Sequence, residues 1–321
     1  MILPVEYTWP RIAVIGGGAV GCYHGGMLAR AGADVTLIGR AAHVDAINRD
    51  GLDFEGVHFR EQVKLRASTA ISNVAGAALV LFCVKSLDTE DAARTLAPHL
   101  EKEAVIVGLQ NGVDNPERIA AQLQACGVRN PVVPAVVYVA AYMAGPGHLK
   151  HTGRGDLVIG NMAPSGSGVS ATQLEQIASV FANAGVPCKV SDNVEGDLWG
   201  KLLINCAYNP VSALGRARYK RLTARAETRA VMADTVREVL AVAAASGVRM
   251  PPGDWVEIAL KLSDAMPEAT SSTAQDLARG KQTEIDYLNG YVARRGAQLG
   301  VPVPVNRTLH ALVKLLEEPP A

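Results

Sequence analysis

Lys201, Asn205 and Asn209 stand four residues apart in the run Leu198-Trp-Gly-Lys-Leu-Leu-Ile-Asn-Cys-Ala-Tyr-Asn-Pro210. A four-residue step overshoots one helical turn by about 40°, so a helix here carries the three side chains as one polar stripe. Leu202, Leu203, Ile204, Cys206 and Ala207 around it are apolar and belong in a core. A cation and two amides in that setting are costly unless something polar meets them. A ligand oxygen would do so, and a partly desolvated lysine can lose a proton near neutral pH. This stripe is the best candidate for chemistry in the chain.

A second constellation, Gly16-Gly17-Gly18-Ala19-Val20-Gly21, follows the β-branched run Arg11-Ile-Ala-Val-Ile15 and opens a helical stretch to Arg30. A further strand, Asp34-Val-Thr-Leu-Ile38, completes a β-α-β unit. That context turns a glycine pattern, weak alone, into a dinucleotide site. Its glycines permit a tight turn and close backbone approach, and the helix N-terminus faces the pyrophosphate. The competing interpretation is a structural glycine turn. The second strand ends Leu37-Ile38-Gly39-Arg40, where an NAD-specific fold usually has Asp or Glu, and Asp34 lies at its other end. The Arg40 guanidinium suits a 2′-phosphate, so the cofactor expected is NADPH; otherwise Arg40 is a solvated surface arginine.

The elements that hold these residues can be read from periodicity. Strands are expected at Ala78–Val84, Ala104–Leu109, Val132–Tyr142, Asp156–Gly160 and Cys188–Val190. Between them come helices at Ala41–Asn48, Thr89–Leu100 and Ala171–Ala184, and one opened by Asn115 as cap with Pro116 in its first turn. Leu52–Leu65 alternates like a hairpin, and Ser165–Ser170 reads as a loop. Alternating strands and helices predict a mainly parallel, doubly wound sheet. Lys85 and Asn111 follow two of its strands, at the carboxyl edge where such folds bind ligands. Beyond Ser191 the pattern is helical only: Val194–Ala207, Thr223–Ser246, Asp254–Ser263, Thr273–Leu277 and Thr283–Leu299. Two domains are expected, residues 1–190 and 191–321. In the second, Ser272 and Asp276 share a helix face; Ser271 or Ser272 is equally an N-cap, and Glu284 an acid suited to a helix first turn.

Composition bounds the function. The 321 residues hold 31 Lys+Arg against 31 Asp+Glu, a formal net charge of zero, so no bulk attraction to nucleic acid or anionic membrane follows. Five scattered cysteines without a C-x-x-C pair favour reduced thiols in a cytoplasm over disulfides or zinc. The seven histidines show no metal-binding spacing; His148 and His151 bracket an apparent turn, in structural or exposed roles, and no metal is expected. Met1–Pro10 lacks the basic start of a signal peptide, and no apolar run reaches the roughly 18 residues of a membrane span. The C-terminal charges read as a solvated helix face.

Taken in order, Gly16-Gly-Gly-Ala-Val-Gly21, Val84-Lys85-Ser86, Leu109-Gln-Asn-Gly112, Trp199-Gly-Lys201…Asn205…Asn209-Pro210, Ser271-Ser272…Gln275-Asp276 and Thr283-Glu-Ile-Asp-Tyr-Leu-Asn-Gly290 resemble the ketopantoate reductases (2-dehydropantoate 2-reductases). The resemblance spans nearly the whole chain. It implies an α/β Rossmann-type doubly wound sheet followed by an all-α C-terminal domain, and NADPH-dependent reduction of a small 2-keto acid, 2-dehydropantoate, to (R)-pantoate on the way to coenzyme A. It implies Lys201 as proton donor in contact with substrate, Asn205, Asn209, Ser271 and Ser272 as substrate contacts, Asn111 between cofactor and substrate, and Lys85, Ala141 and Glu284 at the cofactor. One departure stands out: family members carry a further substrate-contacting Asn before a Gly, whereas here Leu214-Gly-Arg-Ala-Arg-Tyr-Lys220 has none. The alternatives are a reductase for a different 2-oxo acid and a non-catalytic NADP sensor. Oligomeric state is left open, a homodimer included.

Overall fold

The computed structural model describes residues 7–162 and 168–318; the first residues of the N-terminal segment and Ser165–Ser167 of the expected loop lie outside them. The chain divides into two compact units, residues 1–194 and 195–321.

The first unit runs β1 (Ile12–Ile15), α1 (Ala19–Arg30), β2 (Val35–Ile38), α2 (Ala41–Asp50), β3 (Leu52–Glu55), β4 (Arg60–Val63), β5 (Arg66–Ser68), β6 (Leu79–Phe82), α3 (Thr89–Leu96), β7 (Val105–Gly108), α4 (Asn115–Ala125), β8 (Val132–Gly145), β9 (His148–Ile159), α5 (Ala171–Asn183) and β10 (Cys188–Val190). Strands β5-β2-β1-β6-β7-β8 lie parallel in that order. Chain order reverses direction at β1, so a topological switch point opens beyond the carboxyl ends of β1 and β6. Both faces of these strands are covered, as parallel sheets require. Ile12, Val14, Leu79 and Leu81 enter one core with Leu28 of α1 and Phe181 of α5. Ala13, Ile15, Val80 and Phe82 enter the other with Leu96 of α3 and Ile119 of α4.

Beyond β8 the sheet changes character. β9 runs antiparallel to β8 and takes β3 and β10 along its other edge, with β4 completing the β3 hairpin. The hairpin between α2 and β5 is present as expected, but it pairs at the far side of the sheet. Helix α1 touches β1 and β2 and also β3, β8 and β9, so the sheet curls around it. His148 and His151 lie within β9, not about a turn. His148 bonds Glu55 at 3.2 Å, and the His151 ring bonds the Arg154 carbonyl.

The second unit is helical throughout its described residues: α6 (Val194–Gly215), α7 (Tyr219–Thr223), α8 (Ala226–Ala245), α9 (Trp255–Ala265), α10 (Ser272–Ala278), α11 (Asn289–Leu299) and α12 (Pro304–Glu317). Three expectations are corrected. First, α6 does not end at Ala207 but continues through Pro210 to Gly215. A proline removes one rung of the ladder, and the carbonyl so released finds a side-chain donor, Asn289 Nδ2, 3.1 Å from Cys206 O. Second, the expected helix from Thr223 is two, α7 and α8, because Arg225 is extended (φ −106°, ψ 136°). Third, Thr283–Leu299 is broken. A 3-10 turn at Ile285–Tyr287 precedes α11, and Leu288 has φ −110°, ψ −104°. The turn is held from α12. The Thr283 hydroxyl donates to Glu317 at 2.6 Å and accepts from Ile285 N at 3.2 Å. Asp286 receives Lys314 Nζ at 2.9 Å and bonds His310 Nε2 at 2.6 Å. These C-terminal charges are therefore not a solvated face: the Glu317 side chain is 9% exposed. Among the described residues no helix is long and apolar enough to cross a membrane.

Candidate functional site

Gly16 adopts φ 111° at the end of β1, and a Cβ there would lie 2.7 Å from the Cys83 carbonyl carbon at the end of β6. Only glycine fits both the conformation and the space. A Cβ on Gly21 would overlap the Gly16 carbonyl oxygen, so α1 can pack this closely only with glycine there. Gly18 differs, since a Cβ would meet nothing within 4 Å. The protein leaves room at the position where α1 begins. Gly18 occupies the N-cap without a side-chain cap bond, and no acid lies in the first turn. The leading amides and the positive end of the dipole, about half an elementary charge, thus face open space. Below them the Cys22 thiol donates to Gly17 O at 3.5 Å. Burial pushes that thiol up to about 12, so it adds no negative charge to the turn.

A Cβ on Gly39 would stand 3.3 Å from Gly17 Cα. The end of β2 therefore abuts the glycine turn and delivers Arg40 beside it. Arg40 is exposed at the start of α2, and its guanidinium makes no hydrogen bond or ion pair among the described residues. These features fit a dinucleotide: a glycine cradle on a helix N-terminus, with Arg40 following the strand end packed against it.

Lys85 and Asn111 lie on the loops after β6 and β7, both half-buried, and one polar network ties the loops together. Asn115 Nδ2 donates to Asn111 O at 2.6 Å and Ser86 Oγ at 3.1 Å. Ser86 Oγ donates to Asn111 O at 3.0 Å, and Gln110 Nε2 to Val84 O at 3.0 Å. Arg118 grips Glu90 with two bonds of 2.7 Å and reaches Ser86 O at 2.8 Å. The Arg118 hydrogen bonds hold the Glu90 carboxyl below the usual range. Asn115 is accordingly not the helix cap: Asp114 precedes α4, and Asn115 turns inward with 1% exposure. Sequence reasoning missed this lock, because an asparagine before a proline at a helix start has the same letters in either role. Ala141 is half-buried on β8 opposite His151, at a register shift.

In the helical unit, Lys201, Asn205 and Asn209 lie on the one helix α6, at the spacing that gives a common stripe. Lys201 and Asn205 are half-buried and Asn209 is buried, beside buried Leu202, Leu203, Cys206 and Tyr208. Among the described residues neither the Asn205 nor the Asn209 side-chain amide makes a hydrogen bond. Ser271 is the N-cap of α10: its hydroxyl accepts from Ala274 N and donates to Asn209 O, both at 3.1 Å. Ser272 is exposed, and Glu284 is half-buried just before the 3-10 turn. The stretch Leu214–Lys220 runs from the end of α6 into the start of α7, with Arg216 at φ 45°.

The chain thus combines a dinucleotide-type α/β unit with a helical second unit. A family model described as ketopantoate reductase PanE/ApbA matches residues 12–164, and one described as ketopantoate reductase PanE/ApbA C terminal matches 193–317. The chain belongs to the ketopantoate reductase family. A 2-dehydropantoate 2-reductase of Pyrococcus horikoshii is 31% identical over 307 residues, 96% of this chain and 97% of that protein. The crystal structure of a PanE/ApbA family ketopantoate reductase from Ralstonia eutropha JMP134 is 52% identical with a TM-score of 0.86, covering 96% of this chain and 98% of that one. That of a 2-dehydropantoate 2-reductase from Geobacter metallireducens is 27% identical with a TM-score of 0.87, covering 95% and 99%.

Proposed function

We propose that this chain reduces 2-dehydropantoate to (R)-pantoate with NADPH, in the cytoplasm, with Lys201 as proton donor. The observation that carries this reading is the α6 stripe: a half-buried lysine followed, one and two turns on, by side-chain amides that make no hydrogen bond among the described residues. The names of its relatives point to the same substrate.

The Gly16–Gly21 turn would hold the pyrophosphate and Arg40 the 2′-phosphate, and Lys85, Asn111, Ala141 and Glu284 are the further residues that would meet the cofactor. NADPH, when bound, supplies the hydride to the ketone carbon. As hydride arrives, the carbonyl oxygen gains negative charge. The Lys201 ammonium stabilises that charge and then protonates the alkoxide. Asn111, Asn205 and Asn209 hold neutral oxygens without adding charge, and Ser272 contacts the substrate directly. Ser271 acts through the Asn209 backbone, since its hydroxyl already donates there.

The test is purified protein with NADPH and ketopantoate, followed by loss of reduced-nicotinamide absorbance. Turnover is expected, and Lys201→Ala is expected to lower kcat by about two decades or more. A Lys201→Ala enzyme with near-normal kcat would remove the lysine from its role. NADPH binding without turnover of any keto acid would instead make the protein a sensor. A second reading, reduction of another 2-oxo acid, is favoured by Leu214–Lys220, which joins α6 to α7 without the further asparagine of the better-known family members. Parallel kcat/KM values on ketopantoate and a keto-acid panel decide between the two.

A further inference from the structure

Pro210 has no N–H to offer the Cys206 carbonyl one turn back. Asn289 fills the gap, its Nδ2 donating to Cys206 O at 3.1 Å and to Asn306 Oδ1 at 3.0 Å. Asn306 Nδ2 donates in turn to Glu238 Oε2 at 2.8 Å and Thr235 O at 3.2 Å, which leaves its Oδ1 to accept. The Asn289 amide therefore has one workable orientation, because a flip would aim its oxygen at two acceptors. Among the described residues Asn289 Oδ1 has no hydrogen-bond partner, although the residue is 0% exposed. The position retains an amide for its donors alone, at the cost of a buried unsatisfied acceptor. A second external bond falls on the same turn, from Ser271 Oγ to Asn209 O. Cys206 and Asn209 thus take hydrogen bonds from side chains of two other segments, and the stripe amides Asn205 and Asn209 project from this turn.

We infer that Asn289 is a positioning residue for the α6 stripe. By replacing the donor that Pro210 lacks, it lets the helix continue and fixes the direction of Asn209 relative to Lys201 and Asn205. In an unbroken helix that direction would follow from the ladder alone; here the rung that Pro210 lacks is supplied by the Asn289 side chain. This inference rests on the reading of the stripe as the substrate-binding element.

The test is a double-mutant cycle of Asn289→Ala and Pro210→Ala in the full chain. It reads kcat and KM for ketopantoate, Kd for NADPH and the thermal midpoint. Asn289→Ala should lower kcat by about tenfold or more, as misplacement of a reacting geometry does, and leave the NADPH Kd unchanged. Pro210→Ala restores an N–H toward Cys206 O and should recover part of that loss in the double variant. Asn289→Asp keeps the shape and regains a donor only when protonated, so its activity relative to the parent should rise as pH falls. Losses that add in the cycle, or unchanged kcat in Asn289→Ala, overturn the inference. If Asn289→Ala does not fold, recovery in the double variant and the pH response of Asn289→Asp decide the question in its place. A parent protein that turns over no ketopantoate sinks the function instead, and the cycle in thermal midpoints still decides whether Asn289 substitutes for the missing N–H.

Discussion

His24 sits on α1 with 0% exposure, and among the described residues neither ring nitrogen has a hydrogen-bond partner. Its ring packs edge-on against Tyr23 and Phe181. Burial, with a smaller contribution from His151, lowers its pKa from 6.5 to about 3. The sign of the consequence is fixed by linkage. The unfolded chain takes up a proton as pH falls through 6.5, whereas the folded chain does so only near 3. Stability from this group is therefore complete above the unfolded value and declines across that window by up to about 1.4 kcal/mol per pH unit. His24→Leu removes the proton site and both unpaired nitrogens. Its urea midpoint should be no lower at neutral pH and should fall less steeply than the parent's in acid; parallel acid slopes would show that another group carries the decline. Nothing in the letters around His24 signals this role, because a histidine between tyrosine and glycine reads equally as ligand, surface or core. That Lys201, Asn205 and Asn209 share one stripe of α6 was legible because their spacing is a helical period.

At the scale of elements, α4 does more than cover the sheet. Its first turn sends Asn115 and Arg118 into the loops that carry Lys85 and Asn111, and the network's bonds converge on Ser86 and Asn111. Asn115→Ala leaves those buried groups short of partners, a cost of about 1–3 kcal/mol. The expected result is a lower thermal midpoint together with a raised KM for NADPH. An unchanged KM at a lowered midpoint would restrict the lock to stability. Most strands of the parallel sheet could be read from short apolar runs set between turn signals, such as Ile12–Ile15 and Leu79–Phe82, whereas the edge strand Arg66–Ser68 carries no such run and was not expected. The hairpin β3–β4 was readable as a hairpin, yet its partner β9 lies about a hundred residues away along the chain, and local pattern carries no address. The course of α6 through Pro210 was hidden for the same reason: proline argues for a stop, and the donor that overrules it comes from Asn289.

For the whole molecule, the net charge of zero and the two self-contained units mean that cofactor preference must come from local groups rather than from a global field. The parts bearing on it all belong to the first unit: the open space at Gly18, the packing of Gly39 on Gly17, and the Arg40 guanidinium, unengaged among the described residues. A ligand that binds only folded protein stabilises it by about 2.7 kcal/mol at a hundred times its Kd. If Arg40 grips the 2′-phosphate, NADPH and NADH at one fixed concentration must shift the thermal unfolding of the parent protein unequally, NADPH more. Removing charge-assisted hydrogen bonds costs about 1.5–3 kcal/mol, or roughly 10- to 100-fold in Kd. Arg40→Ala should therefore bring the NADPH shift down to that of NADH while leaving the NADH shift nearly intact, because NADH has no phosphate for Arg40 to hold. Calorimetry on both proteins with each cofactor gives the four shifts needed. Equal shifts from NADPH and NADH in the parent would mean that Arg40 is a solvated arginine and that the 2′-position is not what this fold reads.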